Sequence, residues 1–330
     1  MVIRKNIPLS GFEKAQLAKS GKMTFLTKLP MPVMRWLVMR NIESLRRPKD
    51  FVYPIIPDCA HEIEHVRTEI DASPKKVGIS LYGRKDDNWT ALPHAGGKLP
   101  LLFFIHGGGF MGGDSLVSEG LMRYMADELG ILCASVDYNV SPEVRYPVPL
   151  DDCCRALSHV LEHYPVDREK IFLSGDSAGG NLAAVMALKL QDEGGPVPKG
   201  QILLYPVTDL FSLNRESYKQ KGEEYRAMRM GIRLSQGAYV PDKSIRKHPY
   251  VSPIYAEMLR PQPDAMLLIA ERDGLRSDGL EYAEKLETAG GYSRCILYEG
   301  AFHSFVNDLF RSDIADDAAK EMLLFVKERI

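Results

Sequence analysis

Residues 171–182 read Ile-Phe-Leu-Ser-Gly-Asp-Ser-Ala-Gly-Gly-Asn-Leu, and the turn at their centre, Gly175-Asp176-Ser177-Ala178-Gly179, decides the fold. A short apolar run, 171–173, leads in and a helix-spaced run from Leu182 leads out, so Ser177 is expected on a sharp strand-to-helix turn. Backbone bent that sharply leaves no room for side chains two positions either side, and Gly175 and Gly179 meet that demand. The start of the helix offers N–H groups without acceptors and a positive dipole. The Ala178 amide is therefore a candidate donor to a developing anion. A glycine-rich turn with a capping serine is the plainer reading of this motif taken alone.

Working outward, short apolar runs recur at 99–105, 131–136, 170–174, 201–205, 265–270 and 294–298, and they read as buried strands. Helical spacing fills most of the gaps, at 116–129, 150–163, 178–191 and 280–289, with 318–326 as a closing helix. That alternation predicts a parallel sheet flanked by helices, an α/β class. Upstream, 63–70 and 76–82 have no long apolar helix between them, so they are expected as an antiparallel pair at the sheet edge, for about eight strands in all. From 210 to 262 no strand-like run occurs, and Tyr218, Tyr225, Met228, Met230, Leu234 and Tyr239 dominate the apolar content. This reads as a helical excursion over one sheet end, which with residues 1–55 would form a lid lining an apolar pocket. Ordinary core at helical spacing is the alternative. The expected division is a cap from 1–55 and 210–262 over a core of 56–209 and 263–330.

A second chemical signal is His106-Gly107-Gly108-Gly109, directly after the strand at 101–105. A glycine run there lets the backbone turn its amides towards a point beside the serine, with Gly107 and Gly108 as the expected donors and His106 holding the loop by hydrogen bonds. Neither a GxGxxG pattern nor a lysine-ended phosphate loop is present. A nucleophilic serine needs a base, and the base needs an acid. Asp273 follows the strand at 266–270 and His303 follows the strand at 295–298, so each is expected in a loop at a strand's carboxyl end, where α/β active sites assemble. Asp278 is a second candidate acid, and Asp176 is expected to stabilise the turn. His94, His159, His163 and His248 lie away from strand ends.

The 330 residues carry 42 Lys plus Arg against 44 Asp plus Glu, a formal charge of -2, which makes no electrostatic case for nucleic acid or an anionic membrane. A small neutral or weakly charged ligand fits better. Cys59, Cys133, Cys153, Cys154 and Cys295 are scattered and odd in number, so a reducing, cytoplasmic setting is expected. Residues 1–16 lack the apolar core and cleavage site of a secretory signal. The stretch 23–39 is interrupted by Lys28, Pro30, Pro32 and Arg35, short of the ~20 apolar residues that span a bilayer, and reads as two short amphipathic helices. The run 294–298 would be an edge strand able to pair with a second copy in a homodimer.

The ordered motifs resemble those of the hormone-sensitive-lipase-like family of α/β-hydrolase carboxylesterases, from about Ile63 to the C-terminus. His106–Gly109, Gly175–Gly179, Asp273–Gly279 and Ala301–Phe305 stand in the family's order, and Asp137, Tyr138, Pro142, Glu143 and Pro147 match a further stretch. The resemblance implies an α/β-hydrolase fold with a helical cap, Ser177 as nucleophile, Asp273 as acid and His303 as base. It implies hydrolysis of short to medium acyl esters through an acyl-enzyme, without metal or organic cofactor. Some proteins resembling the family are small-molecule receptors that lack the histidine, and the retention of His303 argues against that reading.

Two departures stand out. Gly274 and Ser277 replace the usual proline and aspartate of the acid loop, which predicts a more flexible loop, and Asn139 stands where arginine is common, which removes a supporting salt bridge. His61-Glu62-Ile63-Glu64-His65 satisfies HExxH, a zinc-hydrolase pattern. It lacks the GxxH extension, Pro74 cuts it short, and the resemblance puts it on an edge strand, where both histidines would share a face at the wrong spacing for that site.

Overall fold

The computed structural model describes residues 1–10, 14, 33, 40, 54–90, 97–258 and 262–330. Its strands are β1 (Val2–Lys5), β2 (Ile63–Ile70), β3 (Val77–Arg84), β4 (Leu99–Ile105), β5 (Leu132–Asp137), β6 (Val166–Asp176), β7 (Gly200–Leu204), β8 (Asp264–Arg272) and β9 (Ser293–Phe302). The main helices are α1 (Glu119–Leu129), α2 (Val148–His163), α3 (Ala178–Asp192), α4 (Glu216–Lys219), α5 (Glu223–Ala238), α6 (Arg276–Thr288) and α7 (Asp313–Lys327). The strands form one sheet in the order β1-β9-β8-β7-β6-β4-β5-β3-β2. The pairs β2–β3 and β3–β5 are antiparallel, as expected for the edge, and the other pairs are parallel.

The central strands are continuous apolar runs because both their faces are covered. On β4, Leu101, Phe103 and Ile105 pack with α2, α3 and α6, while Leu102 and Phe104 pack with α1 and α7 on the other face. Fully burying a side chain of this size is worth about 1.5–3 kcal/mol. The two packed faces therefore hold the central strands rigidly, and their carboxyl ends become fixed points for whatever loops follow.

The sheet has nine strands rather than eight. Val2–Lys5, assigned to the cap on sequence, instead pairs in parallel with Cys295–Tyr298. The Lys5 ammonium anchors it, reaching Asp317 and Glu321 of α7 at 2.6 Å each. The edge of β9 expected to pair with a second copy is therefore covered by β1 of the same chain. A four-residue run with exposed Val2 and Ile3 carries too little alternating pattern to read as a strand. Most of the expected N-terminal cap, including nearly all of 23–39, lies outside the described residues. Among the described residues no helix is long and apolar enough to cross a membrane.

Between β7 and β8 the described chain contains α4, α5 and a short 3-10 turn, Pro253–Tyr255, and no strand. On the other side of β7, β6 ends at Asp176 and α3 begins at Ala178, so Ser177 alone makes the corner. Gly179 permits it: a Cβ there would meet the Ile105 and His106 carbonyl oxygens, backbone atoms that cannot swing aside. Replacing Gly179 by Ala should gain roughly 1 kcal/mol in helix propensity but cost about 1–3 kcal/mol in overpacking, towards the upper end against rigid backbone. Urea unfolding is expected to show a lower midpoint at an unchanged slope for Gly179→Ala.

Candidate active site

Ser177 sits at φ 54°, ψ -113°, a backbone conformation that a residue with a side chain rarely adopts and that costs on the order of 1–3 kcal/mol. Surrounding structure imposes it. The Ser177 N–H donates to the Leu204 carbonyl of β7 at 2.9 Å, and the Ser177 carbonyl accepts from Asn181 and Val207 at 3.1 Å each. Bent in this way, the chain lifts the hydroxyl out at the carboxyl end of the sheet. Ala178 follows as the first residue of α3, and its amide has no intrahelical acceptor.

β8 ends at Arg272 and β9 at Phe302, so the next residue of each, Asp273 and His303, emerges at the same sheet end. The structure brings the three side chains together. His303 Nε2 lies 2.9 Å from Ser177 Oγ, and Nδ1 lies 2.6 Å from Asp273 Oδ2. Asp273 is buried, and its other oxygen, Oδ1, accepts from the Leu275 amide at 2.9 Å, which orients the carboxylate. A carboxylate only accepts, so Nδ1 carries the proton and Nε2 is left as an acceptor for the serine hydroxyl. Asp278 takes no part: its Oδ2 accepts from the Thr208 and Asp209 amides at 3.1 Å each.

The glycine loop corrects one expectation. The Gly107 N–H, expected to be free, donates to Asp176 Oδ1 at 2.6 Å and so cannot serve an incoming anion. The amides of Gly108 and Gly109 have no acceptor among the described residues. Gly108, at φ 115°, is exposed and occupies a conformation that L side chains rarely adopt. His106 is buried and stacks on Tyr138 at 4.3 Å, while the Tyr138 hydroxyl donates to the His106 carbonyl at 3.0 Å. Gly175 and Gly179 lie against backbone of the neighbouring β4 end.

Asp176 thus ties the β4 loop to the serine turn, where sequence reasoning assigned it only to its own turn; nothing local in the sequence shows which loop a buried carboxylate will meet. Tyr205 was missed altogether. It follows β7, and its buried ring meets the His303 imidazole edge-on at 5.0 Å, fixing the ring plane. An aromatic residue one place past a predicted strand was the available signal.

Of the two departures from the family pattern, the one at Asn139 is accommodated locally. Asn139 gives its amide and side-chain N–H groups to Asp152 Oδ2 at 2.9 and 2.8 Å, so hydrogen bonds stand where a salt bridge would. Of the two HExxH histidines only His65 lies on β2, where it stacks on Tyr82 at 4.6 Å; His61 precedes the strand and meets Asp127 at 2.8 Å. The two histidines therefore do not share a strand face, because the strand begins after His61. His159 and His163 stack on each other, His248 packs against Tyr146 and Tyr250, and His94 lies outside the described residues.

Burial works against protonating His303, yet the adjoining Asp273 carboxylate, with Asp176 behind it, outweighs burial and raises its pKa above the ordinary 6.5. Burial also raises the pKa of Asp176, against the pull of the Gly107 amide. A histidine pKa raised on folding means that the native state holds a proton the unfolded chain has released. The stabilisation is complete below about pH 6.5 and is lost as pH rises through the folded value. Urea midpoints of wild type and His303→Gln are accordingly expected to differ most near pH 5.5 and to converge towards pH 9.

A sequence model of the alpha/beta hydrolase fold matches residues 102–307. Esterase LipI of Mycobacterium tuberculosis is 31% identical over 259 residues, 76% of this chain and 77% of that protein. The ethyl acetate hydrolase of Pseudomonas putida is 27% identical over 82% of each chain. Among solved structures, a thermostable esterase from Pseudomonas putida matches with a TM-score of 0.77 and 28% identity over 97% of both chains. These likenesses span both the sheet and the loops at its carboxyl end, and the chain belongs to the hormone-sensitive-lipase-like family of α/β-hydrolase carboxylesterases.

Proposed function

We propose that this chain hydrolyses small, neutral carboxylic esters of short to medium acyl length, with Ser177 as nucleophile, His303 as general base and Asp273 as the acid that orients it. The observation that carries this reading is the continuous relay from Asp273 Oδ2 through His303 to Ser177 Oγ, at 2.6 and 2.9 Å. In the forward step the hydroxyl attacks the ester carbonyl carbon while Nε2 takes its proton. The amides of Gly108, Gly109 and Ala178 receive the developing oxyanion; each such donor is worth about 10²- to 10³-fold in rate. The intermediate collapses, His303 returns the proton to the leaving alkoxide, and an acyl-enzyme remains. Water, deprotonated by the same imidazole, releases the acid.

The name of the Pseudomonas putida relative, an ethyl acetate hydrolase, supports short acyl chains. The described residues of 210–258 form the cover in this reading. The near-balanced charge supports a neutral substrate, and five free cysteines, three of them buried, support a reducing cytoplasmic setting.

With p-nitrophenyl acetate and butyrate, Ser177→Ala should lose activity by at least about 10⁴-fold and wild type should show a burst of one p-nitrophenolate per chain. Equal turnover by the two proteins would overturn the serine mechanism. Because the base must be neutral, kcat/KM should fall as pH drops through a value above 6.5, the direction in which Asp273 moves His303. Asp176→Ala releases the Gly107 amide and unpins the loop that carries Gly108 and Gly109. It should lower kcat by roughly 10- to 100-fold with the burst stoichiometry kept, measured by stopped-flow.

A further inference from the structure

The loop that carries Asp273 begins Asp273-Gly274-Leu275-Arg276-Ser277, and a glycine directly after the acid leaves its backbone unusually free. The free loop is nevertheless gripped from the insertion. Ser217, fully buried on α4, donates its hydroxyl to the Gly274 carbonyl at 2.5 Å and accepts from the Ser277 amide at 3.2 Å. Its own N–H donates to Ser277 Oγ at 3.0 Å. On α5, Met228 lies over Gly274 so closely that a Cβ on the glycine would come within 2.8 Å of it.

Two ion pairs flank this ring of hydrogen bonds, Arg276 with Glu216 at 2.6 Å and Arg272 with Glu224 at 2.8 Å. These ion pairs are partly exposed and screened by water, whereas a buried polar group left without its partner carries its full desolvation cost. Hence the serines, rather than the charges, hold the loop. Since Asp273 Oδ1 is itself tied to the Leu275 amide, the carboxylate moves with the loop and cannot stay on the imidazole if the loop shifts.

We propose that Ser217 is a positioning residue for the reaction: through Gly274 and Ser277 it clamps the acid loop so that the Asp273 carboxylate stays aligned with His303 Nδ1. This makes the insertion a brace for the relay as well as a cover, and it rests on the assignment of Asp273 as the acid given above.

The test uses the full-length chain with p-nitrophenyl acetate. Ser217→Ala should lower kcat by about 10-fold with KM within about two-fold, since alignment rather than binding is lost. The acid limb of kcat/KM should also move to lower pH, because a slackened Asp273 no longer favours the imidazolium. Ser277→Ala, which removes the acceptor for the Ser217 amide while leaving the bond to Gly274, should move both readouts in the same direction by less. A Ser217→Ala protein that folds and keeps both its kcat and its acid limb overturns the clamp, even if its urea midpoint falls. Should Ser217→Ala not fold, an unmoved kcat and acid limb in Ser277→Ala overturn it instead. Ser177→Ala is run alongside: wild-type turnover that survives it rejects the serine mechanism, whereas turnover that depends on Ser177 but ignores both clamp variants rejects only the clamp.

Discussion

Everything at the site depends on one strained corner. Ser177 is held at a positive φ between a buried strand and a buried helix, and it stays there because β4 approaches Gly179 closely and β7 takes the serine's own amide. A residue in that conformation relaxes unless its neighbours over-determine it. Here the neighbours belong to buried strands and a buried helix, so the strain is held by apolar burial tens of residues away rather than by the turn. The same packing fixes the ends of β8 and β9, so that Asp273 and His303 arrive at the serine with hydrogen-bonding distances already set.

Electrostatics adds a second constraint. Two buried carboxylates, Asp176 and Asp273, lie near one imidazole, and each is committed to its own partner: Asp273 to His303 and the Leu275 amide, Asp176 to the Gly107 amide. Burial makes an unpartnered polar group expensive, and so these bonds act as positional locks as much as stabilising contacts. The locks differ in kind. One orients a base, while the other spends an amide that would otherwise face the substrate and thereby shapes the loop whose remaining amides are free.

How much was legible follows from how local each signal is. The runs behind β4, β5, β7, β8 and β9 were readable because strands covered on both faces must be apolar throughout, and the serine turn because its glycines answer a local steric demand. β1 was not readable, since four residues gain their strand conformation only by lying beside β9 with Lys5 reaching α7. His61 and His65 were expected together on a strand, but the strand starts between them, and a strand boundary depends on pairing with Arg84 on β3 rather than on composition. The flexibility expected from Gly274 failed to allow for Ser217 and Met228, which reach it from about fifty residues away.

By itself the sequence determined the residue types available for chemistry, their order along the chain and the sheet class that sets them at strand ends, because these rest on short-range periodicity and turn sterics. Only the tertiary structure decided which amide Asp176 would take, which carboxylate would meet the imidazole, what would cover the β9 edge and how the acid loop would be gripped. Those outcomes are contacts between segments distant in the chain. Each is settled by which buried polar group lies within about 3 Å of which other, a distance that no local pattern encodes.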